Sequence, residues 1–271
     1  MSMPLWFVTV LKKIYPARDY FANMTKIPII KEIVDFTLFR GDKIIYLPKD
    51  DLINPADQRE GFENVVLPSE IINYFIMKAR FLWIMNFCIC RQCEDCSSYP
   101  KELGCLFMGE AVLKINPNLG RLVSKEEALN HVAQCREAGL VHMIGRNRLD
   151  SVWLGAGPSQ DLLTVCNCCP CCCLWRMIPN LTPRISSKVS GMPGLRVYIS
   201  DDCIGCGKCT QDICFVDAIK LVESTAIITE ECKGCGRCIE VCPNGAIVMD
   251  GLNPINIDKT IEMIDPLVFI D

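Results

Sequence analysis

The feature that most constrains the fold is a cysteine run that occurs twice. The run Cys203–Cys209 contains three cysteines separated by two residues each, and the run Cys232–Cys238 repeats that spacing with glycines at the same positions. One further cysteine follows each run, at Cys214 and Cys242. Three thiols on one short loop can wrap three corners of an iron-sulfur cube when the intervening residues are small, and a fourth thiol completes the set. The repeat therefore predicts a pseudo-two-fold α+β domain that binds clusters.

Zinc ribbons also use paired cysteine runs, but each run here, with its following cysteine, has more thiols than such a pairing needs. The second copy, in which Pro243 follows Cys242, resembles the run of bacterial two-cluster ferredoxins. The first copy departs from it, because four residues separate Cys209 from Cys214 and Phe215 replaces the proline. The resemblance implies a ferredoxin-like fold with two [4Fe-4S] clusters, one held by Cys203, Cys206, Cys209 and Cys242 and the other by Cys232, Cys235, Cys238 and Cys214.

The composition favours soft-metal ligation throughout, since 20 of the 271 residues are cysteine. A secreted disulfide protein needs an export signal, and the first residues lack a basic segment before a long apolar run. We therefore expect a cytoplasmic protein with reduced thiols.

The net charge of -4 makes nucleic acid a poor partner. The segment from Asp201 to Asp250 contains nine acidic residues and four basic ones, which favours docking to a basic redox protein or to subunits of a redox complex.

The other twelve cysteines lie upstream, between residues 88 and 173. Six of them fall within residues 166–173, too close together for all to ligate one tetrahedral ion. We predict one or two further iron-sulfur clusters, and the alternative is a structural zinc site with spare buried cysteines. Cys135 is predicted to be a core residue, and the two histidines are not predicted to be ligands. The candidate ligands, of which a subset is expected to bind, are Cys88, Cys90, Cys93, Cys96, Cys105, Cys166, Cys168, Cys169, Cys171, Cys172 and Cys173.

The upstream block also resembles a second family, the larger iron-sulfur proteins of anaerobes that carry such cysteines ahead of a two-cluster ferredoxin domain. The segments that carry the likeness are 88–91, 105–109, 126–129, 139–142 and 166–173. This resemblance implies a shared cluster-binding architecture and an anaerobic setting. It implies nothing about a substrate.

The chain is predicted to be α+β, with a mostly helical cysteine-rich domain before the ferredoxin-like domain. An apolar helix is expected to begin at Ser69 and continue through Trp83, and a capping box at Ser124 predicts a second helix over residues 125–138. Charged residues interrupt the apolar stretch 71–90, so we predict no transmembrane segment and leave peripheral association with a membrane complex open. The predicted divisions are an N-terminal segment of unknown role (1–68), a cysteine-rich domain (69–178), a linker (179–196), the ferredoxin domain (197–250) and an apolar tail (251–271).

These features predict an iron-sulfur electron-transfer protein, a non-catalytic subunit of an anaerobic redox complex. The apolar helix near residue 80 is expected to be buried or to face a partner, and the C-terminal tail to pack back on the first domain or to form part of an interface; in an electron-transfer subunit both would be docking surfaces. One alternative is a reductase in which an upstream cluster acts directly on a small substrate, with Arg91, Glu94, Asp95, His142 and Arg146 as the available polar groups. Another alternative is an iron-sulfur scaffold or regulator.

Overall fold

The structure, a computed structural model, describes residues 3–50 and 67–271. Part of the predicted N-terminal segment therefore lies outside the described residues. The strands are β1 (Lys43–Tyr46), β2 (Leu82–Met85), β3 (Leu106–Met108), β4 (Gly120–Val123), β5 (Val141–Arg146), β6 (Leu163–Cys168), β7 (Val189–Gly191), β8 (Arg196–Ile199), β9 (Ile219–Val222), β10 (Thr225–Ile228) and β11 (Ile247–Asp250). The α-helices are α1 (Leu5–Ile14), α2 (Arg18–Met24), α3 (Pro28–Val34), α4 (Ser69–Lys78), α5 (Ile89–Cys93), α6 (Lys125–Glu137), α7 (Arg148–Leu154), α8 (Pro183–Ser186), α9 (Arg237–Glu240) and α10 (Pro254–Ile264).

A seven-stranded sheet in the order β4-β2-β3-β6-β5-β1-β7 forms the centre of the first part of the molecule. Its strands pair antiparallel except for β1 and β7, which are parallel. The α+β class is confirmed, but the prediction that a mostly helical domain precedes the ferredoxin part is corrected by this sheet. The strands were missed because they are buried on both faces, so they show as short continuous apolar runs without the alternation typical of a half-exposed strand.

The predicted apolar helix from Ser69 to Trp83 is shorter than expected. Helix α4 ends at Lys78 because Ala79 is extended, and Leu82 begins strand β2, where it pairs with Met108 and Val123. Ser69 does not cap the helix with its side chain; its backbone N–H donates to Asp50 Oδ1 at 3.0 Å. The helix face predicted to dock a partner is part of the core, and Ile71, Ile72, Phe75 and Ile76 are fully buried.

The second predicted helix is confirmed in place and cause. Helix α6 begins after Ser124, whose hydroxyl accepts from Glu127 N while the Glu127 carboxylate accepts from Ser124 N. This reciprocal pair satisfies two N–H groups that have no partner within the helix.

The apolar tail packs back on the first part of the molecule. Ile257 and Ile264 of α10, with Val268 and Ile270, join the core cluster that contains Phe75. Ile270 O accepts from Arg80 N, and Gln160 O accepts from Phe269 N. These side chains are therefore core residues, and the tail does not offer them as a docking surface.

The ferredoxin part consists of two small antiparallel pairs, β8 with β11 and β9 with β10. The first and last strands therefore pair, and the inner two form a hairpin. The predicted linker contains α8 and strand β7, which is an edge strand of the large sheet.

The N-terminal helices leave many large apolar side chains exposed. Trp6, Tyr20 and Ile29 are 66, 67 and 74% exposed, and seven more such residues between Leu5 and Phe36 are at least 42% exposed. Across residues 3–50 and 67–271, no helix combines the length and the apolar character that a bilayer crossing requires.

Candidate iron-sulfur and metal sites

Two cavities lie in the ferredoxin part, and four cysteines line each of them. The outer cavity is lined by residues of the ferredoxin part alone. The inner cavity also contacts Tyr46 of the large sheet. Each cavity takes three cysteines from one run and the fourth from the other: Cys203, Cys206, Cys209 and Cys242 line the outer cavity, and Cys232, Cys235, Cys238 and Cys214 line the inner one.

The loops around these cavities need glycine for steric reasons. Gly205 and Gly234 have φ values of +65° and +66°, which L side chains rarely adopt. A Cβ on Gly205 would lie 2.0 Å from Ser224 O, and one on Gly234 would lie 2.5 Å from Leu195 Cδ2. Both repeats therefore require the bare backbone at the same position of the run.

Backbone amides are directed at the cysteine sulfurs. Gly234 N lies 3.4 Å from Cys232 Sγ, and Ala218 N and Ala246 N each lie 3.3 Å from the sulfurs of Cys214 and Cys242. Such hydrogen bonds favour negative charge on the sulfur. Burial raises the pKa of the Cys235 thiol to about 12, so a thiolate there needs a cationic partner such as iron. Four convergent thiols with aligned amides fit a [4Fe-4S] cube.

The upstream cysteines divide into two groups. We call the first of these the six-thiol group; it lies beside strands β5 and β6. Cys105 Sγ is 4.0 Å from Cys166 Sγ, and Cys173 Sγ is 3.2 Å from Cys168 Sγ. A hydrogen bond with Cys90 lowers the pKa of Cys88 to about 6, against the effect of burial and with a further contribution from Arg91. The members of the six-thiol group are Cys88, Cys90, Cys105, Cys166, Cys168 and Cys173.

The second, here the four-thiol group, is more compact. Cys96, Cys169, Cys171 and Cys172 have sulfurs that all lie within 4.8 Å of one another. Cys171 Sγ is 3.7 Å from Cys96 Sγ and 3.4 Å from Cys172 Sγ. Three of the four residues are buried, and Cys171 is exposed.

The turn after β6 explains why neighbouring cysteines enter different groups. Cys166 and Cys168 are two residues apart on a strand, so both side chains point to one face. Asn167 points to the other face, where it donates to Gly104 O at 2.7 Å. The chain then turns, so that Cys169, Cys171 and Cys172 join Cys96 while Cys173 returns to Cys168.

A buried arginine lies between the two thiol groups. Arg91 is fully buried and donates to the backbone carbonyls of Asn167, at 2.7 Å, and Leu103. Burial lowers the pKa of this guanidinium, but the thiols of Cys88 and Cys169 lead a larger opposing effect, so the net pKa is raised. Within residues 3–50 and 67–271, no carboxylate accepts a hydrogen bond from Arg91. A buried charge is costly unless it is paired, so thiolates are its natural counter-charge.

A buried tyrosine connects the six-thiol group with the inner cavity. Tyr46 has no exposed surface, lines the inner cavity and packs against Phe215 with ring centroids 5.4 Å apart. Burial and then the thiols of Cys173 and Cys168 raise its pKa well above the ordinary value, and Cys235 adds to the effect. Its hydroxyl has no hydrogen-bond partner among residues 3–50 and 67–271, which is unusual for a buried polar atom.

The remaining candidates lie outside these groups. Cys93 is half-buried and belongs to neither set of close sulfurs. Cys135 is fully buried in the core, 3.7 Å from His131 Nε2, which agrees with the prediction for this residue. His131 Nε2 lies 2.9 Å from Gly104 O, and His142 Nδ1 lies 2.8 Å from Asn167 Oδ1, so both histidines have structural partners.

Sequence reasoning missed Tyr46 and Arg237 as parts of the site. Arg237 follows Gly236 in the second run and is buried; it donates to Gly139 O at 2.6 Å and to the Tyr99 hydroxyl. The position of Arg237 within a cysteine run could have indicated its role in the site. Nothing in the sequence indicated Tyr46, because its contact with the inner cavity depends on how the large sheet folds.

Comparison with known families agrees with the cavities. A family model described as a 4Fe-4S dicluster domain matches residues 198–249, the segment that contains all eight cysteines of the two cavities. This match supports iron-sulfur cluster binding and electron transfer by the C-terminal part of the chain. Neither the curated proteins nor the solved structures gave a significant match.

Proposed function

We propose that the protein is an electron-transfer subunit of an anaerobic redox complex, with two [4Fe-4S] cubes in the ferredoxin part and a further cluster upstream. The observation that carries the proposal is that each cavity is lined by four cysteines, three from one run and one from the other. Bound cubes supply one-electron oxidation and reduction. The proposed ligands are the two sets of four that line the cavities. The proposed division into a cysteine-rich domain and a ferredoxin domain follows from the separation of these eight cysteines from the twelve upstream ones.

The six-thiol group is the proposed upstream cluster site. It offers more thiols than one cube needs, and Arg91 supplies a buried positive charge beside it. A cationic side chain that stays in the core argues for a permanent anionic neighbour, which a thiolate-ligated cluster provides.

The sites lie in a fixed order along the molecule. Tyr46 belongs to the same buried cluster as Cys168 and Cys173 of the six-thiol group, Tyr46 also lines the inner cavity, and the outer cavity is lined by residues of the ferredoxin part alone. The route of electrons that we propose follows this order in either direction, between the upstream site and the surface at the outer cavity.

The surface at the outer cavity is the proposed docking site for a basic redox protein. Cys206 is exposed, and the adjacent Ile204 is 63% exposed. Asp201 and Asp202 are exposed just before the first run, and all nine acidic residues between 201 and 250 are exposed. Of the four basic residues in that range Arg237 is buried, so the surface is more acidic than the sequence count suggests.

The N-terminal helices are the proposed contact with a partner subunit of the complex. Exposed apolar side chains on this scale mark interaction surfaces. We place the partner contact at residues 5–36 because one face of the helix near residue 80 and one face of the tail are already packed in the core.

The reductase alternative is not favoured by the upstream site. Three of its six thiols, those of Cys88, Cys168 and Cys173, are buried and the other three are partly buried, which restricts the access of a substrate. The polar groups that a reaction would need are already held: Arg91 by backbone carbonyls, His142 by Asn167, and Arg146 by Ser159 at 3.0 Å. Glu94 and Asp95 form ion pairs with Arg18 and Lys101.

The test is the iron and acid-labile sulfide content of anaerobically purified protein, with EPR of the dithionite-reduced sample. Two cubes require about eight irons and eight sulfides per chain, and an upstream cube raises each number to about twelve. We expect the larger number. Eight irons and eight sulfides would contradict the upstream cluster and leave the ferredoxin assignment standing, whereas no sulfide in freshly isolated protein would overturn both.

A further inference from the structure

The four-thiol group differs from the other cysteine sets in how close its sulfurs are. Among residues 3–50 and 67–271, Cys96, Cys169, Cys171 and Cys172 form the one set of three or more candidate ligands whose donor atoms all lie within 4.8 Å of one another. The cysteines that line the two ferredoxin cavities do not meet this condition. A cube holds its thiolates far apart because four separate iron atoms stand between them.

A single tetrahedral ion needs close sulfurs. With metal–sulfur bonds of about 2.3 Å, tetrahedral geometry places the sulfurs about 3.8 Å apart. Cys171 lies 3.7 Å from Cys96 and 3.4 Å from Cys172, sulfur to sulfur. The spacing of the four-thiol group therefore fits one ion and is too small for a cube.

We propose that the four-thiol group binds a single soft divalent cation, zinc or mononuclear iron, as a structural centre separate from the iron-sulfur clusters. This inference goes beyond the proposed function, since electron transfer through the clusters does not require it. Tetrahedral sites with four thiolates select zinc or iron. Four protein ligands leave no open position, which is typical of structural sites and not of catalytic ones.

The charge of such a centre has a partner in the core. A divalent ion with four thiolates carries a net negative charge. Arg91 is fully buried, and the thiol of Cys169, a member of the four-thiol group, helps to raise its pKa. Arg176 donates to Pro170 O at 2.6 Å, within the turn that carries three of the four ligands. Two arginines thus donate to backbone carbonyls just before and within this turn.

The ion would fasten a loop that has little regular structure. Residues 94–105 contain no helix or strand, and Cys96 would join this loop to the turn at 169–172. The same loop carries Tyr99, whose hydroxyl accepts from Arg237 at the wall of the inner cavity. The structural centre therefore supports the contact between the upstream part and the inner half of the ferredoxin part.

The experiment compares the metal content of the full-length, anaerobically purified wild type with Cys171→Ser and Cys96→Ser. Cys171 is exposed, so its replacement by serine disturbs the fold least, and Cys93→Ser is the matched control from the same block. We expect wild type and the control to retain about one ion per chain without accompanying sulfide. Both ligand variants should lose that ion, at least tenfold more readily to a chelator, with an unchanged sulfide content.

Three results would overturn the proposal. Loss of about four irons together with four sulfides in Cys171→Ser would make this cysteine a corner of a cluster. Retention of every metal in both ligand variants would show that the group binds none. X-ray absorption of the wild type needs no variant: four sulfurs at about 2.3 Å around zinc, or around an iron in excess over sulfide, support the single ion and tell the two metals apart. Absence of any such zinc or excess iron contradicts it.

Discussion

The two cavities of the ferredoxin part have equivalent cysteines and opposite surroundings. At the outer loop Ile204 and Lys208 are exposed, whereas the corresponding residues of the inner loop, Lys233 and Arg237, contact the upstream part. A Cβ on Gly191 of β7 would lie 2.6 Å from Lys233 O, which shows how closely the large sheet approaches the inner loop. The two copies of the binding unit are thus made asymmetric by their neighbours, with one half packed against the rest of the protein and the other exposed.

The largest expected difference concerns the cysteines themselves. Cys206→Ser and Cys235→Ser should each lose a cube, or about four irons and four sulfides. The first change removes ligation at the exposed loop, so thermal stability should change little. The second disrupts a cavity that is continuous with the core around Tyr46, so the Tm should fall clearly. Iron and sulfide analysis with anaerobic thermal unfolding tests this, and equal losses of Tm would contradict the asymmetry.

The next difference concerns the basic residue of each run. Arg237→Met leaves Gly139 O and the Tyr99 hydroxyl without their donor, which should lower the free energy of unfolding by about 1–3 kcal/mol. Lys208→Met, at the equivalent position of the outer loop, should change it by less than about 0.5 kcal/mol. Anaerobic denaturant unfolding measures both. Similar values for the two variants would show that the inner loop is not anchored through Arg237.

A smaller effect is expected at Tyr46. Its unpartnered hydroxyl lies at the inner cavity, where it is available to donate to cluster sulfur. Tyr46→Phe should therefore lower the reduction potential of the inner cluster by roughly 20–60 mV, the one-electron equivalent of a hydrogen bond of about 0.5–1.5 kcal/mol. The outer cluster serves as the internal control in the same EPR-monitored titration. Equal shifts at both clusters, or none at the inner one, would rule out this donor.

The smallest effect concerns the acidic pair before each run. Asp201→Asn with Asp202→Asn should slow reduction of a basic c-type cytochrome by a few-fold at low salt, since these charges lie beside the outer loop. Glu230→Gln with Glu231→Gln removes the same charge before the inner run and should have less effect. Stopped-flow rates at several salt concentrations distinguish the two, and equal slowing would mean that the partner does not select the outer face.

The parts that sequence alone predicted are those fixed by local contacts. The glycine-spaced cysteine runs and the capping box at Ser124 each depend on residues close together in the chain. The runs predicted an iron-sulfur domain, which the family match supports, and the capping box predicted the start of helix α6, which the structure shows. Strand β2 was read as helix because a run buried on both faces shows no alternation. The separation of the upstream thiols into groups of six and four could not be foreseen, since it depends on how the turn after β6 meets the distant Cys96.

The turn after β6 also bears on biosynthesis. Cys166, Cys168 and Cys173 belong to one thiol group, and Cys169, Cys171 and Cys172 belong to the other. If both groups bind metal as proposed, the centre loaded first fixes the backbone that presents the ligands of the second, and filling of the two proposed centres should be cooperative during maturation. A cell that delivers one metal without the other would accumulate chains with the strand formed and the turn unfinished.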